Sequence, residues 1–255
     1  MKQRTWQHVM DDLVQMKRNA NRERWDRAIR QEALDSIRSQ LVYATLPEQF
    51  LKVLKSGTVS TNVYLRRIHN YALDMGWLPR HVIPKRHWPK VRHKEKRAIT
   101  KEEHDAIMAR EKNPEKRAFY DLLWHLGGSQ SDIARLDSTD IDWDSQTVAF
   151  FRKKSGELAL IHFGAQAAEI LKSRPATGPL FPYLKQIRAA DRATEFKQRC
   201  DGLGISGISL HSYRYAWAER AKEAGMPERF AMQALGHNSK AVHRAYAKKA
   251  LAVVG

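Results

Sequence analysis

The chain has 255 residues, 42% apolar and 29% charged, enough to build one large or two modest domains around real cores and too apolar for wholesale disorder. Lysine and arginine outnumber aspartate and glutamate by 45 to 28, a formal net charge of +17 that points to a polyanionic partner. The single cysteine, Cys200, excludes an internal disulfide and a cysteine-based zinc cluster; with no apolar run of about 18 residues and no apolar leader, a cytoplasmic chain without a membrane partner is expected.

Residues 4–18 place Trp6, Val9, Met10, Leu13 and Met16 at helical spacing, and 22–41 repeat the pattern with Trp25, Ile29, Leu34, Ile37 and Leu41. Thr45 is a candidate cap for a helix over 46–55 that stops at Gly57. Ser60 or Thr61 is a candidate cap for one that runs through 75 and stops at Gly76. These elements make a small helical domain over 1–78 whose tryptophans and methionines read as core. Residues 79–97 follow, in which Arg80, Lys85, Arg86, Lys90, Arg92, Lys94, Lys96 and Arg97 face a single acid, Glu95. Pro79, Pro84 and Pro89 forbid a continuous helix there, so the stretch reads as an extended basic linker. The charge is lopsided: residues 1–100 hold 21 basic and 9 acidic side chains, the remainder 24 and 19.

Thr100 with Glu103 has the form of a capping box and opens a helix over 101–111; further helices are expected at 114–126 and 130–136, separated by Gly127-Gly128. From 140 to 163 the period changes to β-rich alternation broken by DSQ and SG, which predicts a three-stranded antiparallel meander with Lys153 and Lys154 at its second hairpin. Helices are then expected at 165–173, 184–200, 210–224, 227–235 and 239–252. The fold class is mainly α with a small antiparallel β-meander (α+β), arranged as a helical domain (1–78), a basic linker (79–97) and a larger domain (98–255).

No phosphate-binding Walker loop, GxGxxG or HExxH is present, and eleven histidines with one cysteine give no zinc spacing. The chemistry-bearing stretch is 208–249. His211 and Arg214 stand three apart, Leu235-Gly236-His237 follows, and Tyr246 comes nine residues after His237. An arginine fork binds two phosphate oxygens, histidines donate hydrogen bonds or move protons near neutral pH, and a tyrosine needs a base and a positive setting to become a nucleophile. Together they can attack a phosphodiester.

This His-x-x-Arg, Leu-Gly-His and Tyr pattern resembles the tyrosine recombinases, or phage-type integrases, and the resemblance spans most of the chain. It implies a helical core-binding domain at 1–78 and a catalytic domain at 98–255. It also implies a DNA strand transferase that cleaves and rejoins duplex DNA through a 3′-phosphotyrosyl link, without metal or other cofactor and without a small-molecule substrate. Tyr246 would be the nucleophile, Arg214 a clamp on the phosphate, His211 a proton carrier or phosphate ligand, His237 a hydrogen-bond donor to phosphate, and Lys154 (alternatively Lys153) the acid for the 5′-oxygen. DNA contacts would fall on Lys85, Arg86, Lys90, Arg92, Lys94, Lys96 and Arg97. The resemblance further implies a homotetramer on DNA, linked through C-terminal segments such as the one carrying Leu251, Val253 and Val254, and a protein of the nucleoid or of a mobile element. Family members often carry a further N-terminal DNA-binding domain, of which no counterpart is read here.

One position departs. Where the family pattern Gly-x-Arg-x-x-Glu places an arginine, LGGSQSDIARL has Ser129, with Asp132 at the acidic position. A serine donates one neutral hydrogen bond and supplies no charged fork. Gln130 brings no charge, and Arg135 lies six residues on, about 9 Å along a helix axis and on another face. Either another cation serves, or the chain is a DNA-binding relative with weak or lost cleavage that acts as an accessory or regulator. Replacing Lys85, Arg86, Lys90 and Arg92 together by alanine is expected to weaken binding to every duplex sequence and to flatten the dependence of affinity on salt, by up to ~0.9 per lost phosphate contact; a slope equal to wild type would remove the linker from the DNA interface.

Overall fold

A computed structural model describes residues 3–90, 97–153, 156–237 and 239–247. It divides into two compact units, Met1–Lys94 and Glu95–Gly255. Among the described residues no helix is long and apolar enough to cross a membrane, and no cluster of His, Cys, Asp and Glu is arranged to hold a metal ion.

The first unit is helical: α1 (Trp6–Gln15), α2 (Asn19–Ile29), α3 (Asp35–Arg38), α4 (Pro47–Ser56) and α5 (Val59–Asp74). Trp6, Val9, Met10, Leu13, Trp25, Ile29, Leu34 and Ile37 share one core, as their spacing predicts, whereas Met16 caps α1 and is exposed. The single helix expected over 22–41 is broken after Ile29. Arg38 Nη2 donates to the Ile29 carbonyl at 2.6 Å and Gln31 Nε2 to that of Ala28 at 2.8 Å, so side chains rather than a next turn satisfy the helix end. Thr58, not Ser60 or Thr61, caps α5: its hydroxyl accepts from Thr61 N, and Thr61 Oγ1 accepts from Thr58 N at 2.9 Å.

The stretch read as an extended linker is, in its first half, part of this unit. Val82, Ile83 and Trp88 are buried in the core, Trp88 Nε1 donates to the Ile83 carbonyl at 3.0 Å, and a single 3-10 turn covers Lys85–His87. Apolar residues interleaved with the cations anchor the backbone while Lys85, Arg86 and Lys90 stay exposed. Arg92, Lys94 and Lys96 lie outside the described residues.

The second unit holds α6 (Lys101–Arg110), α7 (Pro114–Leu126), α8 (Gln130–Ile133), a three-stranded antiparallel sheet in the order β1 (Ile141–Asp142), β2 (Thr147–Phe151), β3 (Leu158–His162), and then α9 (Ala165–Lys172), α10 (Pro182–Gln186), α11 (Ala189–Asp201), α12 (Ser212–Glu223), α13 (Glu228–Leu235) and α14 (Lys240–Tyr246). The fold is thus mainly helical with the expected β-meander. The Thr100–Glu103 capping box forms: Glu103 Oε2 accepts from Thr100 N at 3.0 Å and Thr100 Oγ1 from Glu103 N at 3.2 Å. The helix expected over 184–200 is split, because the buried Arg192 turns its guanidinium back onto the carbonyls of Leu184 (2.6 Å) and Ile187 (2.5 Å) and satisfies the end of α10. The helix expected over 239–252 is described to Tyr246; the tail with Leu251, Val253 and Val254 lies outside the described residues.

A pH dependence follows from the first core. His69 is fully buried, and its Nε2 accepts from the Val82 backbone N–H at 3.1 Å, which requires a neutral ring. Burial pushes its pKa below the usual histidine value. The folded pKa is therefore below the unfolded one, so this stabilisation is complete above ~6.5 and is lost as pH falls toward the folded value. Denaturation midpoints at pH 7.5 and 5 are expected to differ less in His69→Leu than in wild type; an equal difference would show that His69 does not titrate on unfolding.

Candidate active site

Packing of α7 against α12 builds the floor of the site. Trp217 Nε1 donates to the His125 carbonyl at 2.9 Å, and the Arg220 guanidinium lies 3.8 Å from the centre of the Trp124 ring. The chain leaves α7 through Gly127 at φ 63°, where a Cβ would sit 2.5 Å from Trp217, so the position demands glycine on both conformational and steric grounds. Gly127-Gly128 is therefore a helix end, and it also delivers a ligand: the Gly127 carbonyl accepts from Arg214 Nη1 at 2.9 Å.

Arg214, in the first turn of α12, is 2% exposed. Its Nη2 donates to the Leu235 carbonyl at 2.6 Å and to His237 Nε2 at 3.1 Å, while Nε is buried without a hydrogen-bond partner. Burial, then the nearby Arg152 guanidinium, pulls its pKa down to about 10, which still leaves it charged at neutral pH. Helix α13 ends on Gly236 in the left-handed conformation, which turns the Leu235 carbonyl and His237 toward Arg214.

His211 is not within the helix, as expected from its sequence, but is the residue that precedes it. Its Nε2 lies 2.6 Å from Tyr246 Oη. The Tyr246 ring stacks on Tyr215 (centroids 4.3 Å apart, 6° between planes), contacts His237 at 4.5 Å, and has the Arg214 guanidinium 5.9 Å from its centre. Four of the five catalytic residues named from sequence, His211, Arg214, His237 and Tyr246, thus converge on one point. The fifth, Lys154, lies outside the described residues. Its alternative Lys153 is exposed, and its backbone N–H donates to Asp132 Oδ1 at 3.2 Å.

Around the departing position, Ser129 caps α8 and its hydroxyl donates to Asp132 Oδ2 at 2.8 Å. Gln130 accepts from Arg192 Nε at 3.3 Å, and Arg135 is exposed in a surface depression with Asp137, Asp140 and Lys185. Sequence reasoning missed Arg152. At the end of β2 its side chain is 13% exposed; Nε lies 3.4 Å from Asp132 Oδ2, and Nη1 donates to the carbonyls of Leu235 (2.7 Å) and Gly236 (2.6 Å). The signal was the period-2 alternation of the strand, which buries Val148 and Phe150, exposes Phe151 and turns residue 152 inward again. Tyr215, the platform for Tyr246, and His243, 3.3 Å from His237 Nδ1, were also missed. Of the cations assigned to DNA, Arg97 is held inside the unit by Glu103 (2.7 and 2.6 Å) and the Ser206 carbonyl (2.5 Å). That fork is already satisfied, which sets Arg97 apart from the exposed Lys85, Arg86 and Lys90.

His237 Nε2 can only accept from a guanidinium, so the ring is neutral and carries its proton on Nδ1, facing His243. Burial and the adjacent Arg214 charge hold its pKa at about 3. NMR titration is expected to show no His237 transition between pH 5 and 8, and Arg214→Gln is expected to raise its pKa; a wild-type transition near 6.5 would contradict this geometry.

Residues 97–252 match the sequence profile of the phage integrase family. No curated protein matches. Among solved structures, the Tn1549 transposon integrase in complex with circular intermediate DNA superposes with a TM-score of 0.73 at 13% identity, covering 95% of this chain and 94% of that one. A lambda integrase dimer bound to a COC′ core site gives 0.76 at 15%, covering 96% and 77%. The lambda integrase fragment bound to DNA gives 0.75 at 16%, covering 97% and 96%.

Proposed function

The chain belongs to the phage integrase family, and we propose that it is a site-specific DNA recombinase that cleaves and rejoins duplex DNA through Tyr246. The observation that carries this reading is the 2.6 Å approach of Tyr246 Oη to His211 Nε2 beside the buried, charged Arg214. His211 takes the phenolic proton as Tyr246 Oη attacks phosphorus. Arg214 stabilises the charge that develops on the non-bridging oxygens. The P–O5′ bond breaks, and the leaving oxygen takes a proton from the hairpin, from Lys154 or Lys153. The Oη–P ester keeps the phosphodiester energy for the reverse attack, so the exchange needs no cofactor. His237 accepts from Arg214 in the DNA-free molecule; contact with phosphate requires its proton on Nε2 and a break of that hydrogen bond.

Exposed Lys85, Arg86 and Lys90 fit phosphate contacts that position rather than specify. The DNA-bound integrases of the same fold, one of them a dimer, support duplex DNA as partner and a homo-oligomer on it. Ser129 favours a second reading, a DNA-binding relative that does not cleave.

A covalent-trapping assay separates the two. Incubated with nicked duplexes from DNA flanking its own gene and denatured in detergent, wild type is expected to stay attached to DNA and Tyr246→Phe to release it. Binding without any adduct would favour the second reading.

A further inference from the structure

We propose that Arg152 is the second phosphate-binding guanidinium of the active site and does the work of the arginine missing at position 129. The inference rests on the strand-transfer reading and adds a catalytic residue to it.

Three observations carry it. The first is position. Asp132, the acid that matches the family pattern, is buried and holds Arg152: Oδ2 takes Arg152 Nε and the Ser129 hydroxyl, and Oδ1 takes the Lys153 N–H. Ser129 has become a strut for the carboxylate that aims the arginine. The other candidates are spent elsewhere, Gln130 on Arg192 and Arg135 at the surface.

The second is convergence. Arg152 Nη1 and Arg214 Nη2 donate to the same oxygen, the Leu235 carbonyl, at 2.7 and 2.6 Å. Two guanidinium groups that share one acceptor lie side by side, as two ligands of one phosphate must. Gly236 permits this approach: a Cβ there would stand 2.4 Å from Arg152 Cδ.

The third is charge. Two guanidinium groups sit in a largely buried site, and the Arg152 charge disfavours protonation of both Arg214 and His237. Among the described residues no carboxylate touches Arg214, whose Nε is buried without a partner, while Asp132 is engaged by Arg152. Like charges are held together at a cost that a phosphodiester, with its single negative charge, removes. The backbone of Arg152 is itself held at the neck of the β2–β3 hairpin: its N–H donates to the Glu157 carbonyl at 2.9 Å and its carbonyl accepts from Gly156 N at 2.8 Å.

The test uses the full chain with Arg152→Gln, Arg152→Lys, Ser129→Arg and the double variant Ser129→Arg/Arg152→Gln. Two readouts are taken: the rate of Tyr246-dependent adduct formation on nicked duplex, and the salt slope of binding to the same duplex. Arg152→Gln is expected to slow adduct formation ~100–1000-fold and to lower the salt slope by ~0.9. Arg152→Lys is expected to recover part of the rate, and Ser129→Arg to recover at least about tenfold of the loss when combined with Arg152→Gln, by returning the fork beside Asp132. Adduct formation by Arg152→Gln at the wild-type rate would overturn the proposal. So would equal inactivity of the Lys, Gln and double variants with a lowered melting temperature, which would make Arg152 a purely structural strut. If wild type itself forms no adduct, the strand-transfer reading fails, and the salt slope alone decides: an unchanged slope in Arg152→Gln overturns the phosphate contact.

Discussion

A single backbone oxygen organises the second unit. The Leu235 carbonyl, left without a helical partner where α13 ends, takes hydrogen bonds from Arg214 and from Arg152. A helix end is a ready acceptor for cations, since its last carbonyls are unsatisfied and carry the negative end of the dipole. That one terminus ties together the first turn of α12, the end of β2 and the loop leading to His237. The Gly127 carbonyl at the end of α7 performs the same service for the other side of Arg214. Two helix C-termini thus supply, in direct contact, the acceptors that a carboxylate would ordinarily provide to a buried arginine, and the guanidinium keeps its charge at neutral pH.

The aromatic neighbours complete the setting. Tyr246 is held between Tyr215 on one face and the His237 edge, with its hydroxyl on His211. Stacking fixes the ring plane while leaving the hydroxyl pointing at a histidine rather than at a carbonyl, so in the proposed mechanism the contact that orients Tyr246 is also the one that takes its proton.

Much of this was legible in the sequence, for identifiable reasons. His211, Arg214, His237 and Tyr246 were legible through their resemblance to a family pattern, since 35 residues separate His211 from Tyr246 and local spacing alone does not bring them together. The meander, the Thr100 cap and the end of α7 at Gly127 obey local rules. What escaped was set by distant partners. The breaks after Ile29 and after Gln186 exist because Arg38 and Arg192 fold back onto carbonyls that no local pattern marks as free. Arg152 was read past in favour of its lysine neighbours because its meaning depends on Asp132, twenty residues earlier and on a different element. Alternation along β2 could have shown that its side chain turns inward, but only the tertiary fold shows what it meets there.

Arg152 and Lys153 are consecutive, and the Lys153 N–H shares Asp132 with the Arg152 guanidinium. The same few atoms at the mouth of the hairpin therefore register both the charge beside Arg214 and the start of the loop that carries the candidate leaving-group acid. A tilt of the hairpin cannot withdraw one without dislodging the other. In the proposed mechanism the buried charge and the hairpin acid would therefore share one anchor, Asp132, and a variant that removes this carboxylate would disturb both together.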